Sequence, residues 1–303
     1  MKQFLGLTRR NLLVYFKDKQ AVIFSLLTSI IVFVLYLLFL RRNYEDAIIS
    51  GASAFGGIVT RQDVNLLSAG ILLAGLMGSS SITVCYSTLT TLVSDRQQKI
   101  DYDICATPTK RWQIILSYFT AAFLSAVVMT WLILTFGLIA TRMQGDLYLG
   151  VKGVLKLYGL TILSSLSATA LFLPLMLMFK STSASGAFFG ILSAASGFVI
   201  GAYMPISQFS PVVQSFCGIF PGTGLTSLYR TTLMDPLLAN IDRKLGGIDG
   251  GAFVRGLKEA FYSRATLFGK ALTDLQTVLY VLFIFVVCIA AICLIYPRVY
   301  RRK

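Results

Sequence analysis

The chain has 303 residues, of which 56% are hydrophobic and 13% are charged, and its mean hydropathy is +0.75. This composition excludes a soluble globular domain, and the lack of histidine removes the commonest general base and metal ligand. A net charge of +14 would suit nucleic acid in a soluble protein, but no nucleic-acid-binding motif accompanies it. We therefore predict an all-α polytopic membrane protein that has no nucleic-acid partner and whose basic residues set its orientation.

Residues 1–20 are predicted to form an interfacial amphipathic helix on the membrane surface. Wound as a helix, Phe4, Leu12 and Phe16 lie on one face, and the basic side chains gather on the other. That basic set comprises Lys2, Arg9, Arg10 and Lys17. The alternative is a basic flank that only enforces membrane topology.

Six apolar stretches approach or exceed the roughly 20 residues that a membrane-spanning helix needs. They are residues 21–40, 66–93, 113–140, 157–179, 185–204 and 275–296. None of them contains an acidic or basic residue, which argues against a proton-coupled antiporter or a channel with a charged lining. We predict a single membrane domain, residues 1–303, and a pathway for something bulky and largely apolar stays open.

An even number of spans places both termini on the same side of the membrane. With the termini inside, the inner segments hold 14 basic residues, and the two short outer loops hold 6. Because cytoplasmic loops are enriched in lysine and arginine, we predict cytoplasmic termini, with the charged loop 95–112 also inside the cell. The protein is then a multi-pass protein of the plasma membrane.

The fifth loop, residues 205–274, is the one large piece predicted outside the spans. Its first part is apolar and broken by prolines and glycines, which fits short helices that dip into the outer leaflet. Its last part is predicted to be an amphipathic helix that leads directly into the sixth span. The apolar positions of that helix are Phe253, Leu257, Phe261, Phe268 and Leu272.

Two spans carry small residues at intervals that let helices approach closely. One interpretation is packing within the chain, and the other is a central seam between two copies that also lines the translocation path. The candidate residues are Gly70, Ala74, Gly78 and Ser81 in the second span, and Gly190, Ser193, Gly197 and Gly201 in the fifth.

The sequence contains no catalytic motif. The nearest match to a phosphate-binding loop, GAFVRGLKE, has Leu257 in place of the lysine. Asp101 and Asp103 are two positions apart and would not share a helix face, so we do not expect them to act as a catalytic pair. We expect no catalytic residue, bound cofactor or metal in this chain.

The charged stretch DRQQKIDYDICATPTKRWQII, residues 95–115, separates the second and third spans. We predict a short helix near residues 101–107. Pro108 would end this helix, because the residue before a proline disfavours the helical conformation. Asp101 and Asp103 suit the first turn of such a helix, where the macrodipole favours acids. The alternative is a solvated loop that only sets topology.

These features together resemble the permease subunits of type 2 ABC transporters, a family of exporters, over nearly the whole chain. Members of this family often have an acid–arginine pair, a polar run, a glutamate and Thr-Pro before the third span. Those places are filled here by Asp95-Arg96, Asp103 and Thr107-Pro108. The Gly-Thr that usually precedes the second acid is replaced by Asp101-Tyr102.

A second stretch, MPISQFSPVVQSFCGIFPGTGLTSLYR, is similar to the segment of the family that follows the fifth span. In that segment, prolines precede a turn that contains proline and then an arginine. The equivalent positions here are Pro205, Pro211, Pro221 and Arg230.

The resemblance implies that a separate ABC ATPase subunit, which binds ATP and Mg, docks on the cytoplasmic face. It also implies a second permease copy or paralogue, and membrane lipids would surround the complex. The implied coupling residues are Asp95, Arg96, Asp101, Asp103, Ile104, Thr107 and Pro108. Ile104 would pack into a groove of the ATPase, and Arg96 would meet acidic groups or lipid phosphates.

The function implied by the resemblance is ATP-driven export. The apolar, uncharged spans fit an amphipathic or lipid-like substrate, such as a drug, an antibiotic or a toxin. Export of a lipid-linked glycan is an alternative. A different class also stays open, in which the chain is a non-transport membrane sensor or assembly protein that acts through its outer loop.

Overall fold

The computed structural model describes residues 2–36, 38, 41–52, 58–246, 250–261, 266–267 and 270–299. Three sequence predictions fall partly outside these residues: the end of the first span at Leu40, the position of Phe268, and the basic residues at 301–303. The described chain is almost entirely helical. A single short hairpin accompanies the helices, in which β1 (Thr266–Leu267) pairs antiparallel with β2 (Lys270–Ala271).

Twelve α-helices follow one another in the described part of the chain, and a short 3-10 helix, Ile206–Gln208, lies between the eighth and the ninth. The first six are α1 (Lys2–Lys17), α2 (Lys19–Leu35), α3 (Arg41–Ala52), α4 (Arg61–Gln97), α5 (Ile100–Ala106) and α6 (Arg111–Gln144). The others are α7 (Val151–Met176), α8 (Thr182–Val199), α9 (Pro211–Ile219), α10 (Pro221–Leu245), α11 (Ala252–Phe261) and α12 (Asp274–Val299).

Five of these helices, α4, α6, α7, α8 and α12, are long and apolar enough to cross a membrane. They overlap the predicted spans two to six. A sixth crossing is present if α1 and α2, which meet at 74° on either side of Asp18, are counted together. The all-α polytopic architecture therefore agrees with the composition.

Helix α4 lies at the centre of the helix bundle. Its 37 residues rise about 55 Å at 1.5 Å per residue, well beyond a hydrocarbon core of about 30 Å. In its most apolar 18-residue stretch, 89% is buried inside the chain, whereas the corresponding share is 17% for α8 and for α12. A capping box starts it, since the Thr60 hydroxyl accepts from the Asp63 amide and the Asp63 carboxylate accepts from the Thr60 amide. We call the Gln97 end of α4 the near end, and the Arg61 end the far end.

The fifth loop differs from its prediction in two ways. It contains a 25-residue helix, α10, which packs along the far half of α4 instead of forming only short helices. Its amphipathic helix does bury Phe253, Leu257 and Phe261, but it ends at Phe261. The hairpin then separates α11 from α12, so the amphipathic helix does not lead directly into the last span.

Candidate coupling site and packing of the small residues

A charged cluster joins the interfacial helix to the near end of α4. Both carboxylate oxygens of Asp95 accept hydrogen bonds from the guanidinium of Arg10, one of them from Nη2 at 2.6 Å. The Asp95 side chain is 5% exposed and that of Arg10 is 32% exposed. A two-point bond of this kind fixes direction as well as distance. Asp95, predicted to contact the ATPase, instead bonds within the chain.

Helix α6 completes this cluster from the other side. The Tyr118 hydroxyl donates to Oδ2 of Asp95, so one buried carboxylate binds side chains from both α1 and α6. Beside it, the Asn11 amide donates to the Ser117 hydroxyl at 3.3 Å. Helices α1, α4 and α6 are thereby held at one point at the base of the bundle.

The two residues that follow Asp95 hold the ends of two more spans. Arg96 donates from Nη1 to the carbonyl oxygens of Leu177 and Phe179, at 2.8 and 2.9 Å. These carbonyls follow the last turn of α7, where such groups lack helical partners. The Gln97 side-chain oxygen accepts from the amide and the hydroxyl of Thr182, both at 2.7 Å, where α8 begins. Arg96 thus binds the permease chain itself, at the end of the fourth predicted span.

The short helix predicted near residues 101–107 is present as α5. Lys99 enters it in the left-handed conformation, at φ 63°. At the other end Thr107 is extended, as the following Pro108 requires, and its hydroxyl donates to the Ile104 carbonyl at 2.6 Å. Ile104 itself is 8% exposed and packs in the core beside α4 and α6. Contrary to expectation, it is not available to a groove on another subunit.

The outward face of α5 carries a different set of side chains. Tyr102 is 70% exposed, and Asp103, Thr107 and Pro108 are exposed as well. Within the described part of the chain, the Oδ1 atom of Asp101 is buried and has no hydrogen-bond partner. Burial raises the pKa of the Asp101 carboxyl above its ordinary value, although the Tyr102 amide opposes this shift. This edge combines an exposed ring, an exposed acid and an unsatisfied carboxylate oxygen.

In the predicted interfacial helix, α1, the buried and exposed side chains differ from those expected. Arg9 and Lys17 are exposed as expected, but Arg10 turns inward to Asp95. The buried positions are the polar residues Thr8 and Asn11, together with Tyr15. The apolar side chains Leu5, Leu13, Val14 and Phe16 are exposed. The exposed side of α1 therefore carries both apolar and basic side chains, and both kinds are suited to a membrane surface.

The small residues of the second span are enclosed within this single chain. A methyl group added at Gly78 would lie 2.2 Å from the Thr226 hydroxyl oxygen, and one at Gly70 would lie 3.3 Å from the Met234 side chain. Ala74 and Ser81 are fully buried, and the Ser81 hydroxyl donates back to its own helix. Contrary to the idea of a seam on this span, these residues let α10 approach α4.

The fifth span divides into two parts. An added methyl group at Gly197 would lie 2.2 Å from the Tyr203 ring, and Gly201 has φ +73°, which favours glycine in the turn that ends α8. These two glycines serve folding within the chain. Gly190 has nothing within 4 Å of such a methyl group, and Ser193 lies half-buried nearby. Gly190 and the exposed face around it stay the candidate for a seam.

Comparison with protein families matches the chain to the ABC-2 type transporter family over residues 2–234. The match covers more than half of the chain, from the interfacial helix into α10. The chain belongs to the ABC-2 type transporter family. It is therefore a permease subunit of an ABC transporter. Comparisons with curated proteins and with solved structures give no significant match.

In this permease the motif residue Arg230 has a structural environment that the sequence did not reveal. Its side chain is 1% exposed and donates to two backbone carbonyls, those of Gly201 after α8 and of Phe261 at the end of α11. The Tyr44 ring of α3 packs edge-on against the Phe261 ring. Arg230 therefore joins the end of the fifth span to the far-end helices.

Two residues of the near-end cluster were not predicted at all, Tyr118 and Asn11. Both are buried polar side chains, and burial indicates that such a group has a hydrogen bond but does not identify its partner. The partner of Asn11 is 106 positions away, and that of Tyr118 is 23 positions away. Only the packing of α1 and α6 against α4 brings these groups together.

Proposed function

We propose that the permease forms the translocation path of an ATP-driven exporter, powered by a separate ABC ATPase subunit that docks on the outward edge of α5. The observation that carries this proposal is the state of that edge. Tyr102 and Asp103 are exposed, and the buried Asp101 oxygen has no partner in the described chain. The exposed Asp103 carboxylate would accept from a lysine or arginine of an ATPase, and the exposed Tyr102 ring would pack against the same partner.

The docking edge is connected to the spans by short contacts. Ile104 packs α5 against the bundle. The residues before α5 contact α1 and α6 through Asp95, the end of α7 through Arg96 and the start of α8 through Gln97. A displacement of α5 would therefore reach α1, α7 and α8 together. The interfacial helix would take part because Arg10 is bonded directly to this segment.

The proposed substrate is amphipathic or lipid-like, such as a drug, an antibiotic or a toxin. The predicted spans hold no charged side chain, and the buried hydroxyls of α4 at Ser79 and Ser81 donate to their own helix backbone. The interior therefore offers little to a charged, strongly hydrated solute. With the termini and α5 in the cytoplasm, transport would run outward across the plasma membrane.

A second permease copy or paralogue would pack on the exposed face of α8. Ile191 and Phe198 are exposed on this helix, and Gly190 leaves room for a close approach. We propose this face, rather than the small residues of α4, as the seam.

The test is co-expression of the permease with ABC ATPases encoded next to it, followed by purification through a tag on the permease. We expect an ATPase to copurify and its ATP turnover to depend on the permease. The double variant Tyr102→Ala/Asp103→Lys should lose the partner and at least tenfold of the permease-dependent turnover. Its matched control is Glu259→Lys, an exposed acid on α11, which should change neither. If no ATPase associates with the intact chain, the proposal of ATP-driven export is wrong.

A further inference from the structure

A cleft of about 620 Å³ opens between the far ends of α6 and α7, away from the coupling site. Its lining includes Thr135, Ile139 and Arg142 from α6, Asp146 from the connection, and Val154 and Tyr158 from α7. The volume falls within the roughly 300–1,000 Å³ of cavities that hold small molecules. None of these residues is among the candidate path or seam residues or on the proposed docking edge.

The mouth of the cleft carries one positive and one negative group. Arg142 and Asp146 form an ion pair at i, i+4, with side chains 68% and 49% exposed. The Tyr148 amide also donates to Asp146, at 2.9 Å. The Arg142 bond, with that amide, holds the pKa of the Asp146 carboxyl below its ordinary value, so the group is ionised at neutral pH. An exposed pair adds little stability, so either charge can exchange its partner for a ligand at small cost.

The inner part of the cleft has a different character. Thr135 lies seven residues before Arg142, or about 10 Å deeper along α6, and Ile139 and Val154 line the walls between. The Thr135 hydroxyl donates to the Trp131 carbonyl and so must accept from the Tyr158 hydroxyl, both at 2.7 Å. Both hydroxyl hydrogens are therefore used within the protein. The inner end offers no free donor and suits a hydrocarbon chain rather than a second polar group.

We propose that this cleft binds a zwitterionic phospholipid with an amine headgroup, taken from the leaflet at the far end of α4. Arg142 would bind the phosphate and Asp146 the ammonium, and one acyl chain would lie between Ile139 and Val154. The paired opposite charges at the mouth match this headgroup. An anionic headgroup without an amine would satisfy Arg142 but would be repelled by Asp146.

The experiment uses the full-length permease, purified without ATP or an ATPase, so its outcome does not depend on the proposed function. Lipid bound to the protein is counted by native mass spectrometry after titration with phosphatidylethanolamine or phosphatidylglycerol. We expect saturable binding of phosphatidylethanolamine, weakened at least tenfold by Arg142→Gln and by Val154→Trp. Asp146→Asn should remove the preference for phosphatidylethanolamine over phosphatidylglycerol.

Two matched variants control for altered surface charge and bulk. Arg255→Gln removes an exposed arginine on α11, and Leu155→Trp adds the same ring beside Val154 on a side chain that does not line the cleft. Both should bind lipid as the unaltered chain does, and all variants should keep its melting temperature. Equal binding of the two lipids, or unchanged binding in Val154→Trp, would overturn the proposal. The proposal would also be overturned if the cleft retained a drug-like amphiphile but no phospholipid, or if it retained only detergent.

Discussion

Arg10 and Asp95 are 85 positions apart in the sequence, yet the guanidinium of one binds both carboxylate oxygens of the other. The bond sets the angle between the interfacial helix and the base of α4. Because Tyr118 binds the same carboxylate, α6 is fixed to the same point. The position of α1 against the bundle is therefore set by a specific bond.

Removal of this carboxylate is expected to destabilise the permease. Asp95→Ala leaves the partly buried Arg10 and the Tyr118 hydroxyl without their partner, at a cost of roughly 1.5–3 kcal/mol for each bond to a charged group. Thermal unfolding in detergent would show this as a lowered melting temperature. Tyr102→Phe, which alters an exposed ring, is the control and should not shift it. If Asp95→Ala melts with the unaltered chain, the cluster does not hold the three helices together.

The geometry of the Arg10–Asp95 bond gives a second, sharper expectation. Arg10→Lys keeps the charge but cannot bind two oxygens at once, so it should lose part of the stability that Arg10→Ala loses in full. In a double-mutant cycle, Arg10→Ala and Asp95→Ala should be strongly non-additive, because both remove the same interaction. Additive losses in melting temperature would mean that each residue acts through other neighbours.

Replacement of Asp101 by asparagine should stabilise the isolated permease at neutral pH. Burial raises the pKa of Asp101, so the protonated acid is favoured in the folded chain. The stability that the folded chain gains from binding this proton is complete below the ordinary carboxyl pKa of about 3.9. It is lost as pH rises through the raised pKa of Asp101. Asp101→Asn should therefore raise the melting temperature at pH 7, and the difference should shrink towards pH 4.5. Asp103→Asn, which alters an exposed acid on the same helix, is the control and should leave the melting temperature at pH 7 unchanged.

Loss of Arg230 is expected to loosen the far-end helices. Arg230→Ala leaves the carbonyls of Gly201 and Phe261 buried without their donor, at about 1–3 kcal/mol each. Hydrogen exchange should increase in α11 and at the end of α8, together with a lowered melting temperature. Arg243→Ala, an exposed arginine on the same helix, should leave both unchanged. Unaltered exchange in Arg230→Ala would show that the far-end helices are held by apolar packing alone.

The two glycine environments predict opposite results for two substitutions. Gly78→Ala forces a methyl group against Thr226 and Ile200, and overpacking of this kind costs typically 1–3 kcal/mol. Gly190→Ala meets no neighbour and should leave stability unchanged. Gly190→Phe should instead reduce dimers in cross-linking or light-scattering measurements. If the Gly78→Ala variant keeps its stability and the Gly190→Phe variant still forms dimers, the seam between the two copies would lie on α4 instead of α8.

Sequence reasoning located the membrane architecture because its determinants are local. The uncharged apolar stretches and Pro108 act through residues close by, and α5 lies within one residue of the predicted helix. The roles of Ile104 and Arg10 could not be obtained in this way. Whether each faces a partner or its own chain depends on contacts with helices distant in sequence, and no periodicity distinguishes these outcomes.

Helix α4 also determines how far a small motion can carry. It is a continuous helix with Asp95 near one end, and at the other Asp63 bonds Lys244 of α10 at 3.0 Å. Over a length of about 55 Å, a tilt of 10° about the midpoint would move each end by roughly 5 Å, in opposite directions. A rigid tilt of α4 would therefore carry a displacement at the proposed docking edge to the opposite surface in one step, without a relay through successive side-chain contacts.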